Sequence, residues 1–280
     1  MRVLVTGAGG QLGRELVAAF ADHDVIAAGH STLDVANRGH VLALTTSAVP
    51  DVLIHAAAWT AVDDCEGDPE RAFRTNALGT RHIAEAARRV DAHLVYVSTD
   101  YVFDGTKSTP YTEWDTPNPT SVYGRSKLAG EREAGPDATI VRTSWVCGRH
   151  GANMVKTILR LASGHPTLSF VDDQRGHPSF ADDLAGAIRE LAVDRRPGLF
   201  HVTNQGAVSW FEFARIVLEM AGDDPDRVHP ITTADLDPPR PAPRPTNSVL
   251  DNAALRMSGV RLLPDFREPL ARLVAELTSG

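Results

Sequence analysis

The chain has 280 residues, 42% of them hydrophobic and 23% charged, with a formal net charge of −8. That length suits one large domain or a core with a smaller lobe. The acidic balance argues against a face for nucleic acid, and no apolar run reaches the roughly 20 residues of a membrane span. Two cysteines, Cys65 and Cys147, are too few for a disulfide framework and stand in no metal-ligand spacing, so both are expected to be reduced thiols. Met1-Arg2 leads straight into Val3-Leu4-Val5, which reads as a first strand and not as a signal peptide. The expected compartment is the cytoplasm, with neither nucleic acid nor membrane as partner.

In chain order, Arg2–Thr6 is a short β-branched run ending in glycines, the pattern of a buried parallel strand. Gln11–Ala21 has helical spacing, Asp24–Ala28 reads as a strand, Val41–Ser47 as a helix and Pro50–His55 as a strand before the small residues 56–58. Pro69–Val90 predicts one long helix, His93–Ser98 a strand, Val122–Glu133 a helix and Ala138–Thr143 a strand. This alternation predicts an α/β fold, a doubly wound parallel sheet with helices on both faces, over residues 1–145. Residues 146–280 are less regular and are expected to form mainly a smaller C-terminal substrate-binding lobe, with about 179–203 returning to the core. In this half Asn153–Leu161, Ser179–Ala192 and Trp210–Met220 read as helices and Gly198–Thr203 as a strand. Pro238–Pro245 holds five prolines in eight residues, which excludes helix and central strand. It is either a linker or a rigid segment laid over a ligand.

Gly7-Ala-Gly-Gly10-Gln-Leu-Gly13 lies between the first strand and the first helix. Glycines there permit a tight turn and a close backbone approach to a pyrophosphate, and the helix N-terminus offers free N–H groups and a positive dipole end. The second strand ends Ala28-Gly29-His30-Ser31 without the acid that would bind a ribose 2′-hydroxyl. That leaves room for a 2′-phosphate and hence for NADPH, with NADH as the alternative. Asp34, just beyond, is placed near the adenine or its ribose, unless it is a turn residue.

Tyr123-Gly-Arg-Ser-Lys127 puts a phenol and an ammonium one helical turn apart on the same face. A phenol titrates near 10, too high for ready proton donation at neutral pH, and a neighbouring ammonium is expected to lower it. Such a pair is common by chance and draws its meaning from Ser98-Thr-Asp-Tyr-Val-Phe-Asp-Gly105, which follows a parallel strand where α/β sheets bind ligands. Thr99 is thus placed to meet both a substrate carbonyl and the Tyr123 hydroxyl.

Together with His55–Asp63, Asn76–Gly79, Tyr123–Glu131, Arg142–Val146, Val171–Gly176 and Arg244–Leu250, these segments resemble, in order and across nearly the whole chain, the dTDP-4-dehydrorhamnose reductase family of extended short-chain dehydrogenases/reductases. The resemblance implies reduction by NADPH or NADH of the C4 ketone of a dTDP-linked 4-keto-6-deoxy sugar, with Thr99, Tyr123 and Lys127 catalytic. It implies cofactor contacts from Gly7, Gly10, Gln11, Leu12, Gly13, Asp34, Val35, Ala56, Ala57, Ala58, Thr60 and Asn76 as well as Tyr123 and Lys127. Substrate contacts are implied for Thr99, Asp100, Tyr101, Trp145, Asn153 and Gln174, and for Arg244 at the diphosphate, a role that suits a guanidinium fork and favours the ligand-covering reading of the proline run.

Trp59 and Cys147 stand where this family usually has tyrosine, and Cys147 bears on the shape of the sugar pocket. Some relatives bind Mg²⁺ between subunits through glutamates; Glu15 matches one such position but reads more simply as a solvated helix-face residue. Monomer and homodimer both stay open. The rival readings are a 4-ketoreductase for dihydrostreptose or an antibiotic sugar, an NDP-sugar epimerase or dehydratase, and a non-catalytic nucleotide-binding regulatory subunit.

Overall fold

In the computed structural model, which describes residues 1–279, β1 (Arg2–Thr6) is followed by α1 (Gln11–Ala19), β2 (Asp24–Ala28), α2 (Arg38–Ala48) and β3 (Val52–His55). Then come α3 (Val62–Gly67), α4 (Pro69–Phe73), a π-helical turn at Arg74–Leu78, α5 (Gly79–Arg89), β4 (His93–Thr99), α6 (Val122–Ala134) and β5 (Thr139–Thr143). The second half holds β6 (Val146–Cys147), α7 (Met154–Gly164), β7 (Leu168–Val171), β8 (Arg175–Gly176), β9 (Ser179–Phe180), α8 (Ala181–Val193) and β10 (Gly198–His201). It ends with β11 (Val208–Ser209), α9 (Trp210–Met220), β12 (Val228–Ile231), α10 (Ala253–Met257) and α11 (Arg267–Thr278).

Six strands form one sheet in the order β10-β5-β4-β3-β1-β2, every pair parallel. The strand order reverses between β1 and β3, the switch point at which α/β sheets open a crevice at their carboxyl ends. Both faces are covered, and the central residues of β1, β3 and β4 are accordingly apolar. Val3 and Val5 of β1, with Val52 and Ile54 of β3, join α1 and α8 on one side. Leu4 and Leu53 point the other way, into a cluster with Ile83, Ala84 and Tyr96. A third apolar cluster lies in the C-terminal half, where Ile158, Phe180, Phe213, Val217 and Leu270 pack together. The short pairs β7–β12, β8–β11 and β6–β9 frame that half.

Two expected helices differ in an instructive way. The helix expected over Pro69–Val90 is interrupted at Arg74–Leu78 by the π-helical turn, a local expansion often found at functional sites. There Asn76 is buried: its Oδ1 accepts from Trp59 N at 2.8 Å, and its Nδ2 donates to Trp59 O at 3.1 Å and Ser126 Oγ at 2.9 Å. Asn76 therefore ties the loop after β3 to α6. The helix expected from Ser179 begins at Ala181, because Ser179 and Phe180 pair with Val146 and Cys147 as a short parallel ladder. Pro238–Pro245 is neither helix nor strand, as its prolines require, and it is no free linker: Pro245 packs on Gly105, and Thr246 Oγ1 donates to Gly105 O at 2.8 Å.

Helix α6 reaches the sheet through Gly130, where a Cβ would meet Tyr96 Oη at 2.2 Å and Asn76 O at 2.5 Å. Gly130→Ala is a sharp test of this close approach. Helix propensity alone would stabilise the variant by about 1 kcal/mol. Overlap with the Asn76 carbonyl is expected to win, with a net loss of about 1–3 kcal/mol in urea denaturation; a more stable variant would contradict the packing.

Candidate functional site

The glycine turn is a cradle that side chains would fill. Gly7 has φ +68°, and a Cβ on it would lie 2.7 Å from Ala57 N. A Cβ on Gly13 would lie 2.0 Å from Gly7 O, so α1 starts hard against the turn. Gly10 is the N-cap of α1, and no side chain among the described residues caps it. The first N–H groups of a nine-residue helix thus face the crevice at the switch point, the arrangement that suits an anion.

Two clefts meet over this turn, sharing Gly7, Gly10, Ala56 and Ala58. The first, of about 640 Å³, runs out over Asp34 and Val35, and Ala57 lies between. His30, Arg71 and Arg74 also line it. Sequence reasoning passed over those three because each looks like a solvated surface residue; only their meeting across the cleft singles them out. Asp34 lies at its edge, exposed, with Oδ1 accepting from Ala36 N at 3.0 Å, so the turn reading of this residue holds beside its place in the cleft. Trp59 forms part of the wall, its ring 4.3 Å from the Arg71 guanidinium carbon.

The second cleft, of about 480 Å³, gathers Gln11, Leu12, Gly13 and Thr60 with Thr99, Asp100, Tyr101, Tyr123, Lys127 and Trp145. Thr99 ends β4, and its Oγ1 accepts from Tyr101 N at 3.2 Å and donates to Asp100 Oδ1 at 3.0 Å. Asp100 is buried, its Oδ2 has no partner among the described residues, and burial raises its carboxyl to about 6. Ser121 caps α6 by accepting from Gly124 N, which sets the helix so that Tyr123 and Lys127 both face inward. Burial drives the Tyr123 phenol well above its ordinary value, opposed by Thr99 and reinforced by Asp100, Tyr101 and Cys65.

The expected lowering of the phenol by Lys127 is corrected here. The Lys127 ammonium donates to Val97 O at 2.7 Å and sits 4.2 Å from the Tyr96 ring centre, and burial of the phenol outweighs whatever lowering it supplies. Burial lowers Lys127 itself to about 7, opposed by Glu131. A raised phenol stays protonated at neutral pH, which is the form a proton donor needs.

Trp210 was missed. It opens α9, which in sequence reads only as a helix, yet its indole stacks on Trp145 at 3.5 Å and 8° and lines the same cleft. Trp145 itself has φ +45°, outside the usual range for an L side chain.

Four of the expected site residues are not brought to the clefts. Asn76 is the structural bridge described above. Asn153 caps α7 by accepting from Lys156 N at 3.2 Å, and its Nδ2 is spent on Gln11 Oε1 at 2.8 Å and Gly148 O at 2.6 Å. Gln174 donates to Thr233 Oγ1 at 2.9 Å. Arg244 forms a fork with Asp63, Nη1 to Oδ1 and Nη2 to Oδ2 both at 2.7 Å, and also donates to Ala242 O at 2.8 Å. It stands near the reactive cleft, since its partner Asp63 adjoins Val62, which lines that cleft. Cys147 is buried among Val155, Ile158 and Phe180 and does not line the reactive cleft.

Glu15 is also corrected: it is 5% exposed, not solvated, and Arg149 holds it at 2.9 and 3.1 Å. Among the described residues no three His, Cys, Asp or Glu side chains are grouped to hold a metal ion, and no helix is long and apolar enough to cross a membrane.

A parallel sheet with a glycine cradle at its switch point and a buried tyrosine–lysine pair along one cleft defines a Rossmann-type reductase of the extended short-chain class. The chain belongs to the RmlD substrate binding domain family, which it matches over residues 1–279. It is 42% identical over 288 residues to a dTDP-4-dehydrorhamnose reductase of Mycolicibacterium smegmatis, covering 100% of this chain and 86% of that one. It is 43% identical over 289 residues to a probable dTDP-4,6-dihydroxy-2-methyloxan-3-one 4-ketoreductase of Streptomyces antibioticus, covering 100% and 97%. The crystal structure of a Bacillus anthracis dTDP-4-dehydrorhamnose reductase in complex with NADP superposes with a TM-score of 0.94 at 38% identity, over 98% of this chain and 99% of that one.

The buried lysine has a consequence for stability. Its folded value, about 7, lies below its ordinary 10.5, so between these the unfolded chain binds more protons and stability rises with pH. Lys127→Met is expected to flatten that rise between pH 7 and 10 and to be more stable than the parent at pH 7, both read from urea midpoints. An unchanged slope would mean that Lys127 is not held at a lowered value.

Proposed function

We propose that this protein is an NADPH-dependent reductase of the C4 ketone of a dTDP-4-keto-6-deoxy sugar, with dTDP-4-dehydro-L-rhamnose as substrate and dTDP-L-rhamnose as product. The observation that carries this reading is the single run of space from the glycine cradle to Thr99 and Tyr123, in a chain whose relatives are named as reductases of such sugars. We place the reaction in the cytoplasm, in a monomer or homodimer.

NADPH, when bound, supplies the two electrons and the hydrogen that C4 gains. Gly7, Gly10 and Gly13, with the open N-terminus of α1, would hold its diphosphate. His30, Arg71 and Arg74 offer cationic or hydrogen-bonding groups for a 2′-phosphate just past β2, with Asp34 at the edge of the same cleft. The Thr99 hydroxyl turns its hydrogen from Asp100 to the ketone oxygen and polarises it. Tyr123 then gives its phenolic proton to that oxygen as the C4–O double bond becomes a C–OH. The Lys127 ammonium stabilises the phenolate left behind until solvent returns the proton. Asp100, Tyr101 and Trp145, with Trp210 stacked on it, form the wall against which the sugar would lie.

A 4-ketoreductase acting on another dTDP-deoxysugar is the second reading, favoured by the 43% identity to the Streptomyces antibioticus protein. NADPH oxidation with dTDP-4-dehydro-L-rhamnose, followed by NMR of the product, separates the two: turnover to dTDP-L-rhamnose supports the first, and no oxidation with this sugar argues against it. Tyr123→Phe is expected to lower kcat by about 10²–10⁴ while NADPH affinity changes less than tenfold; a fully active variant would remove the tyrosine from the mechanism. Arg74→Ala is expected to lower the ratio of NADPH to NADH efficiency, and an unchanged ratio would exclude that guanidinium from cofactor choice.

A further inference from the structure

The buried face of α6 carries Tyr123, Lys127 and Glu131 at successive turns, a stripe at i, i+4 and i+8 that leads from the reactive cleft toward the interior. Glu131 has no place in the reaction described above, yet its side chain is only 7% exposed and that of its partner Arg142, on β5, only 3%. Arg142 donates Nε to Oε1 at 2.8 Å and Nη2 to Oε2 at 2.7 Å, and Ser98 Oγ donates to Oε1 at 2.6 Å. The carboxylate is thus fully oriented, while Arg142 Nη1 is buried with no partner among the described residues. An ion pair in an interior is seldom more stable than apolar residues of the same size, so folding alone gives a weak account of why this one stands there.

We propose that Glu131, clamped by Arg142 and Ser98 one turn along α6, is a positioning residue that keeps Lys127, at the wall of the reactive cleft, in its ammonium form. This rests on the reading of Lys127 as the partner of Tyr123. The titratable groups around Lys127 are His55 on β3, Tyr96 on β4, and Tyr123 and Glu131 one turn to either side on its own helix. His55 is neutral, since burial lowers it to about 3, and Tyr96 is a phenol raised well above its ordinary value. Glu131 lies one turn from Lys127 on the same buried face of α6, and its charge acts against the burial that favours the neutral amine. Val97 O and the Tyr96 ring add dipole and π contacts at 2.7 and 4.2 Å, but neither carries the full negative charge that offsets an ammonium.

Glu131→Gln alone leaves Arg142 unpaired in the interior and is expected to fold poorly. The informative protein is Glu131→Gln with Arg142→Met, which removes both charges and keeps the volume. It is expected to fold with a urea midpoint near that of the parent. In the ligand-free protein, the ¹³Cε resonance of Lys127, assigned by its loss in Lys127→Met, is expected to titrate about one pH unit or more below the parent. The alkaline limb of kcat/KM is expected to move down with it, with activity recovered at lower pH. A resonance that titrates as in the parent overturns the proposal, whatever happens to turnover. A lowered titration with an unmoved pH profile instead supports the role of Glu131 and removes Lys127 from the chemistry, as would a fully active Lys127→Met.

Discussion

Keeping an ammonium group out of water at the carboxyl end of a parallel sheet is the constraint around which this protein is arranged. Burial favours the neutral amine by an amount that no single hydrogen bond offsets. The protein meets it with two contacts, a backbone carbonyl on β4 and the face of Tyr96, and with the charge of a carboxylate one turn along the helix. Each comes from an element whose position is fixed by other packing. Tyr96 is pinned between Gly130 and His55, and Glu131 is gripped by β4 through Ser98 and by β5 through Arg142.

The same economy of space governs the other end of the site. The turn after β1, the loop after β3 and the start of α1 approach so closely that Gly7 and Gly13 have no room for a methyl group. This brings the free N–H groups of α1 to the point where the strand order reverses. Asn76 then transmits the arrangement sideways, since its amide holds the loop after β3 and Ser126 of α6 together. The cradle and the tyrosine–lysine helix are therefore coupled through one buried side chain. The π-helical turn is the backbone distortion on which that side chain is carried.

The sheet was legible because strands covered on both faces carry unbroken apolar runs such as Val3–Val5 and Val52–Ile54, and their connecting helices have helical spacing. The glycine turn and the Tyr123–Lys127 pair were legible because each is a local spacing with a definite context. What escaped the sequence depends on partners far along the chain. The two-residue strands β6, β8, β9 and β11 are too short for any periodicity. Asn76 and Asn153 were expected at ligands, and their amides are consumed by Trp59, Ser126, Gln11 and Gly148. Glu15 looked solvated until Arg149, 134 positions away, closed over it. Trp210 was only the first residue of a helix until its stack with Trp145 placed it on the cleft.

The charge distribution around the proline run follows the same logic. A chain of net charge −8 must take up a doubly charged nucleotide sugar, so cationic groups near the reactive cleft have to be held against local anions until they are needed. Arg244 is largely buried and forked onto Asp63, and Asp63 also accepts from Ala242 N at 3.1 Å. That carboxylate fastens the proline run to α3 and at the same time satisfies the guanidinium. A diphosphate arriving at Arg244 would have to share a fork already filled on one side, whereas Arg240, four residues earlier in the same run, is exposed. On this geometry Arg244 serves first as the anchor of the segment, and Arg240 has the freer guanidinium to offer an anion.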